Sequence, residues 1–134
     1  MYHHLLPISH YFFIDKITAG FPSPASDYLE SSLDLNEYLI TNPVATFFLR
    51  ATTDAMRESG IFSGDMLIVD RSLKPKSNDI VVVELEGDLS VRRYERLGKK
   101  ITLSTDSPYI EPIYLSTVFD FTIWGVVKAA IHTL

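Results

Sequence analysis

The residue types best suited to chemistry are scattered along the chain. His3, His4 and His10 lie near its start and His132 near its end. Metal binding needs about four ligands on a rigid frame, which these positions do not offer, so they read as solvated or packed terminal residues. No metal and no cofactor is expected. Asp65 and Asp70 bracket an apolar run. Paired carboxylates can do acid–base work, but here they read as groups that accept hydrogen bonds from turn N–H groups at strand ends. Ser59, Ser63, Ser72 and Ser77 read as turn residues. Arg92, Arg93, Arg96, Lys99 and Lys100 surround Tyr94, a combination that suits single-stranded nucleic acid. Glu95 interrupts it, and strand alternation sends Arg92 and Arg93 to opposite faces, so a solvated hairpin is the simpler reading. Thr52-Thr53-Asp54-Ala55-Met56 reads as a loop or helix start, with Asp54 as the cap.

Composition bounds what these residues can serve. The chain has 134 residues, 46% hydrophobic and 22% charged, enough for one ordinary globular core without metal or disulfide support. It has no cysteine, which excludes disulfides, thiolate nucleophiles and thiolate zinc sites. Twelve Lys+Arg against 17 Asp+Glu give a net charge of −5, so direct binding to duplex DNA is not expected. No apolar run approaches the ~18 residues of a membrane span, and no export signal is expected in the opening residues.

Two segments emerge. Residues 1–33 read as an N-terminal arm, with Gly20, Pro22 and Pro24 keeping the chain extended and out of helix. Residues 34–134 read as the folded domain. Asp34 caps a short amphipathic helix carrying Leu35, Leu39 and Ile40, which Asn42-Pro43 ends. Strands are expected at residues 45–51, 66–69, 80–85, 89–94 and 101–103, at Tyr114, and over 119–131. Glu86-Gly87-Asp88 marks a hairpin and Gly125 a bulge or bend. The fold class is mainly β: small antiparallel sheets or a partial barrel.

A set of motifs in order points further. Ala19-Gly20-Phe21-Pro22-Ser23-Pro24-Ala25 resembles the self-cleavage segment of UmuD proteins, and Asp34-Leu35-Asn36 follows it. Gly60-Ile61 with Gly64-Asp65-Met66-Leu67-Ile68-Val69-Asp70 is similar to a stretch of LexA-type peptidases. Asp79-Ile80-Val81-Val82, Leu89-Ser90-Val91-Arg92-Arg93, Ser107-Pro108-Tyr109 and Gly125-Val126-Val127 extend the likeness to the C-terminus.

The resemblance implies a LexA/UmuD-type peptidase fold and a cytoplasmic dimer of the bacterial SOS response. It implies a RecA filament and a UmuC-like polymerase as partners, the latter in a polymerase V-like translesion enzyme. It places a cleavage site at Ala19-Gly20. The family cuts with a serine nucleophile in a G-x-S-M pattern and a lysine base. The matching positions here are Ala55, within Thr53-Asp54-Ala55-Met56, and Arg92. Alanine has no attacking oxygen, and arginine stays protonated, its pKa exceeding ~12. The glycine of the pattern is Thr53. The expectation is a UmuD-like accessory subunit that does not cut itself. Two other readings stay open: an active self-cleaving serine peptidase, if alanine and arginine were introduced by design, and a regulator that forms mixed dimers with active homologues.

Overall fold

The computed structural model describes residues 32–116 and 122–134. The expected cleavage site at Ala19-Gly20, the three early histidines and the first residues of the last expected strand lie outside the described residues. The chain divides into two units, one ending at Thr41 and the other running from Asn42 to Leu134. In the first, helix α1 spans Leu35–Leu39. Its cap is the expected one: the Asp34 side chain accepts from the Asn36 N–H at 2.9 Å.

The second unit is one antiparallel sheet of seven strands. They are β1 (Thr46–Arg50), β2 (Met66–Asp70), β3 (Ile80–Leu85), β4 (Asp88–Leu97), β5 (Lys100–Ser104), β6 (Ile113–Ser116) and β7 (Thr122–Ile131). Their order across the sheet is β1-β2-β7-β3-β4-β5-β6. The mainly β expectation holds, as a single sheet. Among the described residues no helix is long and apolar enough to cross a membrane.

Strand β3 explains why the sheet carries a core on both faces. Its run Ile-Val-Val-Val alternates direction residue by residue. Val82 joins Ala51, Met56, Ile61, Leu67 and Val69 in one buried cluster. Val81 and Val83 join Tyr94, Ile101, Leu103 and Val126 in the other.

The β3–β4 connection is a two-residue turn. Leu85 pairs with Asp88, and Glu86 and Gly87 have φ of 50° and 88°. Positive φ at both positions matches the twist of the flanking strands, which is why the hairpin closes so tightly. On the opposite side of β3, Val82 pairs with Gly125 and Val83 with Ile123, so Trp124 is an extra residue in β7. The bulge expected at Gly125 is therefore present beside it. A Cβ on Gly125 would stand 2.8 Å from the Asp70 carbonyl oxygen and 2.8 Å from Val69 Cγ1, so glycine is required by close approach.

Candidate functional site

A cleft of about 360 Å³ opens where β1 ends and the first half of β4 runs. Leu49 and Arg50 come from β1, Ala51, Thr52, Thr53, Ala55 and Met56 from the following loop, and Leu89, Ser90, Val91 and Arg92 from β4. Thr105 and Ile110 close it from the segment after β5. The two positions singled out in the sequence, Ala55 and Arg92, are 37 residues apart and line this one cleft.

The turn that carries Ala55 is held from below and from the side. Met56, next in sequence, is buried in the core cluster with Ala51, Ile61 and Leu67. The Ala51 N–H donates to the Asp65 carbonyl at 2.8 Å, and the Gly64 N–H to the Ala51 carbonyl at 2.7 Å, extending the β1–β2 pairing into the loop. The Asp106 N–H donates to the Ala55 carbonyl at 2.9 Å. The Asp106 carboxylate in turn accepts from the Ser59 N–H at 2.8 Å and the Ser59 hydroxyl at 2.6 Å. Arg93 adds a donor to Ser59 Oγ at 2.6 Å.

Ser59 is thus more than a turn residue. It joins a 3-10 turn at Arg57–Ser59 to a segment 47 residues away. Nothing in the local sequence signals the link, because neither partner has an unusual neighbour. The cap expected of Asp54 is not formed. Its Oδ1 accepts from the Ser63 N–H at 2.9 Å instead, and the 3-10 turn has no side-chain cap. The chain re-enters at Gly64, and so brings the Ser63 amide to Asp54 in place of a helical one.

Arg92 and Arg93 do face opposite ways, as alternation requires. The solvated-hairpin expectation fails for Arg92, which is half-buried in the cleft. Its Nε donates to Ser90 Oγ at 3.1 Å, and its Nη1 donates to the carbonyls of Leu103 and Glu111 at 3.3 and 3.4 Å. Burial lowers its pKa from the ordinary arginine value. An arginine so shifted is still a cation and not a base. Among the described residues no carboxylate lies within 4.0 Å of its guanidinium.

The cleft's hydroxyls are those of Thr52, Thr53, Ser90 and Thr105. Among the described residues that line it there is no lysine, histidine, aspartate or glutamate. A hydroxyl becomes a nucleophile when a neighbour takes its proton, and no described lining residue is such a neighbour. Ser90 Oγ faces a guanidinium that donates to it.

The remaining candidates have structural partners. Asp65 Oδ2 accepts from the Phe62 N–H at 2.8 Å, and Asp70 Oδ1 accepts from the Ser72 N–H at 2.8 Å, as expected of carboxylates at strand ends. The Phe62 N–H holds the Asp65 carboxyl below its ordinary pKa against the effect of burial, with His132 assisting. Burial works against the charge on Asp70 too, but hydrogen bonds from Ser72 and Asn42 bring its pKa below the ordinary value.

The motifs follow one another along the chain, and Ala55 and Arg92 line one cleft. Residues 12–128 match the family described as Peptidase S24-like. The chain belongs to that family. Within it, the chain is 45% identical over 121 residues to Protein ImpA of Salmonella typhimurium, an alignment covering 90% of this chain and 81% of ImpA. It is 45% identical over 120 residues to Protein SamA of the same species, covering 90% of this chain and 83% of SamA. Protein MucA of Escherichia coli is 38% identical over 120 residues, covering 87% of this chain and 80% of MucA. The UmuD-like kinship implied by the motifs holds, and with it the mainly β peptidase fold of the S24-like family.

Proposed function

We propose that this chain is a UmuD-like protein of the SOS response that works by binding and not by cutting. The observation that carries this reading is the content of the cleft. Ala55 and Arg92, which the resemblance matches to the nucleophile and base positions, both line it, and no described lining residue can take a proton from the four hydroxyls. Membership of the S24-like family and the likeness to ImpA, SamA and MucA support the UmuD-like role.

On this reading the protein is a dimer subunit, paired with itself or with an active homologue. It is an accessory subunit of a UmuC-like translesion polymerase and a partner of the RecA filament. Residues 1–33 are its arm and 34–134 its domain. The bond between Ala19 and Gly20 is a substrate for a partner's serine. Pro22 and Pro24, which disfavour helix, suit that role, because peptidases take substrates as extended strands.

One incubation tests this. The purified chain is mixed with a RecA filament and a relative that keeps serine and lysine at the two positions, and intact mass is followed. Loss of residues 1–19 only when the relative is present is the expected result. Loss of those residues without the relative shows that the chain cuts itself. No cut and no mixed dimer in the three-component mixture removes the proposed partnership.

A further inference from the structure

Among the described residues, the first half of β4 is paired on one side only. Residues Asp88 to Arg93 pair with β3, but pairing with β5 begins only at Arg93. Because Leu85 and Asp88 close a two-residue hairpin, the hydrogen-bonded pairs alternate from there: Ser90 with Val83, Arg92 with Val81. Leu89 and Val91 therefore direct their N–H and C=O groups away from β3, toward the side where β5 has not yet begun. Among the described residues no backbone group pairs with them there. This edge lines the cleft. It is a template for one more extended strand.

The cleft also has a sign. Arg50 and Arg92 line it and no described acidic residue does, although the chain as a whole carries −5. Arg50 Nη1 donates to the Gly64 carbonyl at 2.7 Å. Among the described residues the acceptors around Arg92 are neutral: one hydroxyl and two carbonyls. Its Nη2 has no partner among the described residues. A guanidinium partly withdrawn from water, with Nη2 unpartnered among the described residues, is matched by a carboxylate, which accepts a charge-assisted hydrogen bond.

We propose that the cleft captures an extended segment of a partner protein whose Asp or Glu side chain pairs with Arg92. This rests on the proposed reading that the chain binds and does not cut, takes the cleft as a peptide site without chemistry, and names the class of peptide it takes. The exchange of base for arginine then does more than abolish proton transfer: it converts the position into a receptor for an acidic residue.

Selection from a library of random octapeptides against the immobilised full chain tests it. Selected peptides are expected to share an Asp or Glu at one position. In fluorescence anisotropy, the matching Asn or Gln peptide should bind wild type about tenfold more weakly. Arg92→Gln should bind the acidic and amide peptides alike, and Arg92→Lys should keep the preference. Ala55→Glu, which adds a carboxylate inside the cleft, should weaken the acidic peptide and serves if Arg92→Gln does not fold. Selected peptides with no acidic position, or equal binding of the acid and amide pair to wild type, overturn the proposal while leaving a peptide cleft in place. A preference that survives Arg92→Gln also overturns it. Failure to select any peptide overturns the peptide-cleft reading itself.

Discussion

His132 Nδ1 lies 2.7 Å from Asp65 Oδ1 and joins the end of β7 to the loop before β2. The strand register explains the meeting: Met66 pairs with Ile131, so the residues just beyond them face each other. Asp65 is 1% exposed and His132 49%. Asp65→Ala removes the acceptor of both His132 and the Phe62 N–H, whereas His132→Ala leaves that N–H bonded. Urea unfolding should therefore show the larger loss for Asp65→Ala.

Both buried aspartates make the fold acid-sensitive in one direction. Their folded pKa values lie below the ordinary 3.8. Such groups stabilise the fold above the unfolded pKa, and that contribution is lost as pH falls through the folded value. The thermal midpoint should drop steeply below about pH 4, and Asp70→Asn should make the drop shallower. A midpoint unchanged down to about pH 2.5 contradicts the assignment.

Gly125→Ala should destabilise the sheet. Its new methyl meets the Asp70 carbonyl and Val69 Cγ1, both at 2.8 Å. A backbone oxygen can yield only if β2 shifts, and the expected cost is about 1–3 kcal/mol by denaturant unfolding. A variant as stable as wild type contradicts the close approach.

Asp106→Ala should loosen the turn that carries Ala55. It removes the acceptor of the Ser59 N–H and hydroxyl. Hydrogen bonds to a charged group contribute about 1.5–3 kcal/mol, so a loss of that order is expected. Amide exchange at Ser59 should speed up more than exchange in β3. Uniform change across the sheet would show that the link is not local.

Restoring the family pattern should restore chemistry if Ala55 and Arg92 are the positions assigned. The triple exchange Thr53→Gly, Ala55→Ser and Arg92→Lys should yield a fragment beginning at Gly20, read by N-terminal sequencing. Ala55→Ser alone should yield none, because Arg92 cannot accept the serine proton.

Strand positions were legible because the signals are local. The apolar run at Ile80–Leu85 and the turn at Glu86-Gly87 fix β3 and its hairpin in the sequence itself. So is the Asp34 cap. What the sequence hides is pairing across distance. Ser59 and Asp106 meet because the segment after β5 folds over the turn at Ala55, and Asp54 turns to Ser63 for a similar reason. Arg92 looked solvated among its basic neighbours. Only the late start of the β4–β5 pairing, at Arg93, shows that its side of the strand opens into a cleft.

The most direct test of the account is the intact mass of the purified chain held alone at alkaline pH, a condition expected to favour self-cleavage in the family it resembles. An unchanged mass is predicted, since neither Ala55 nor Arg92 can start the reaction. A product beginning at Gly20, formed without any partner, would contradict it.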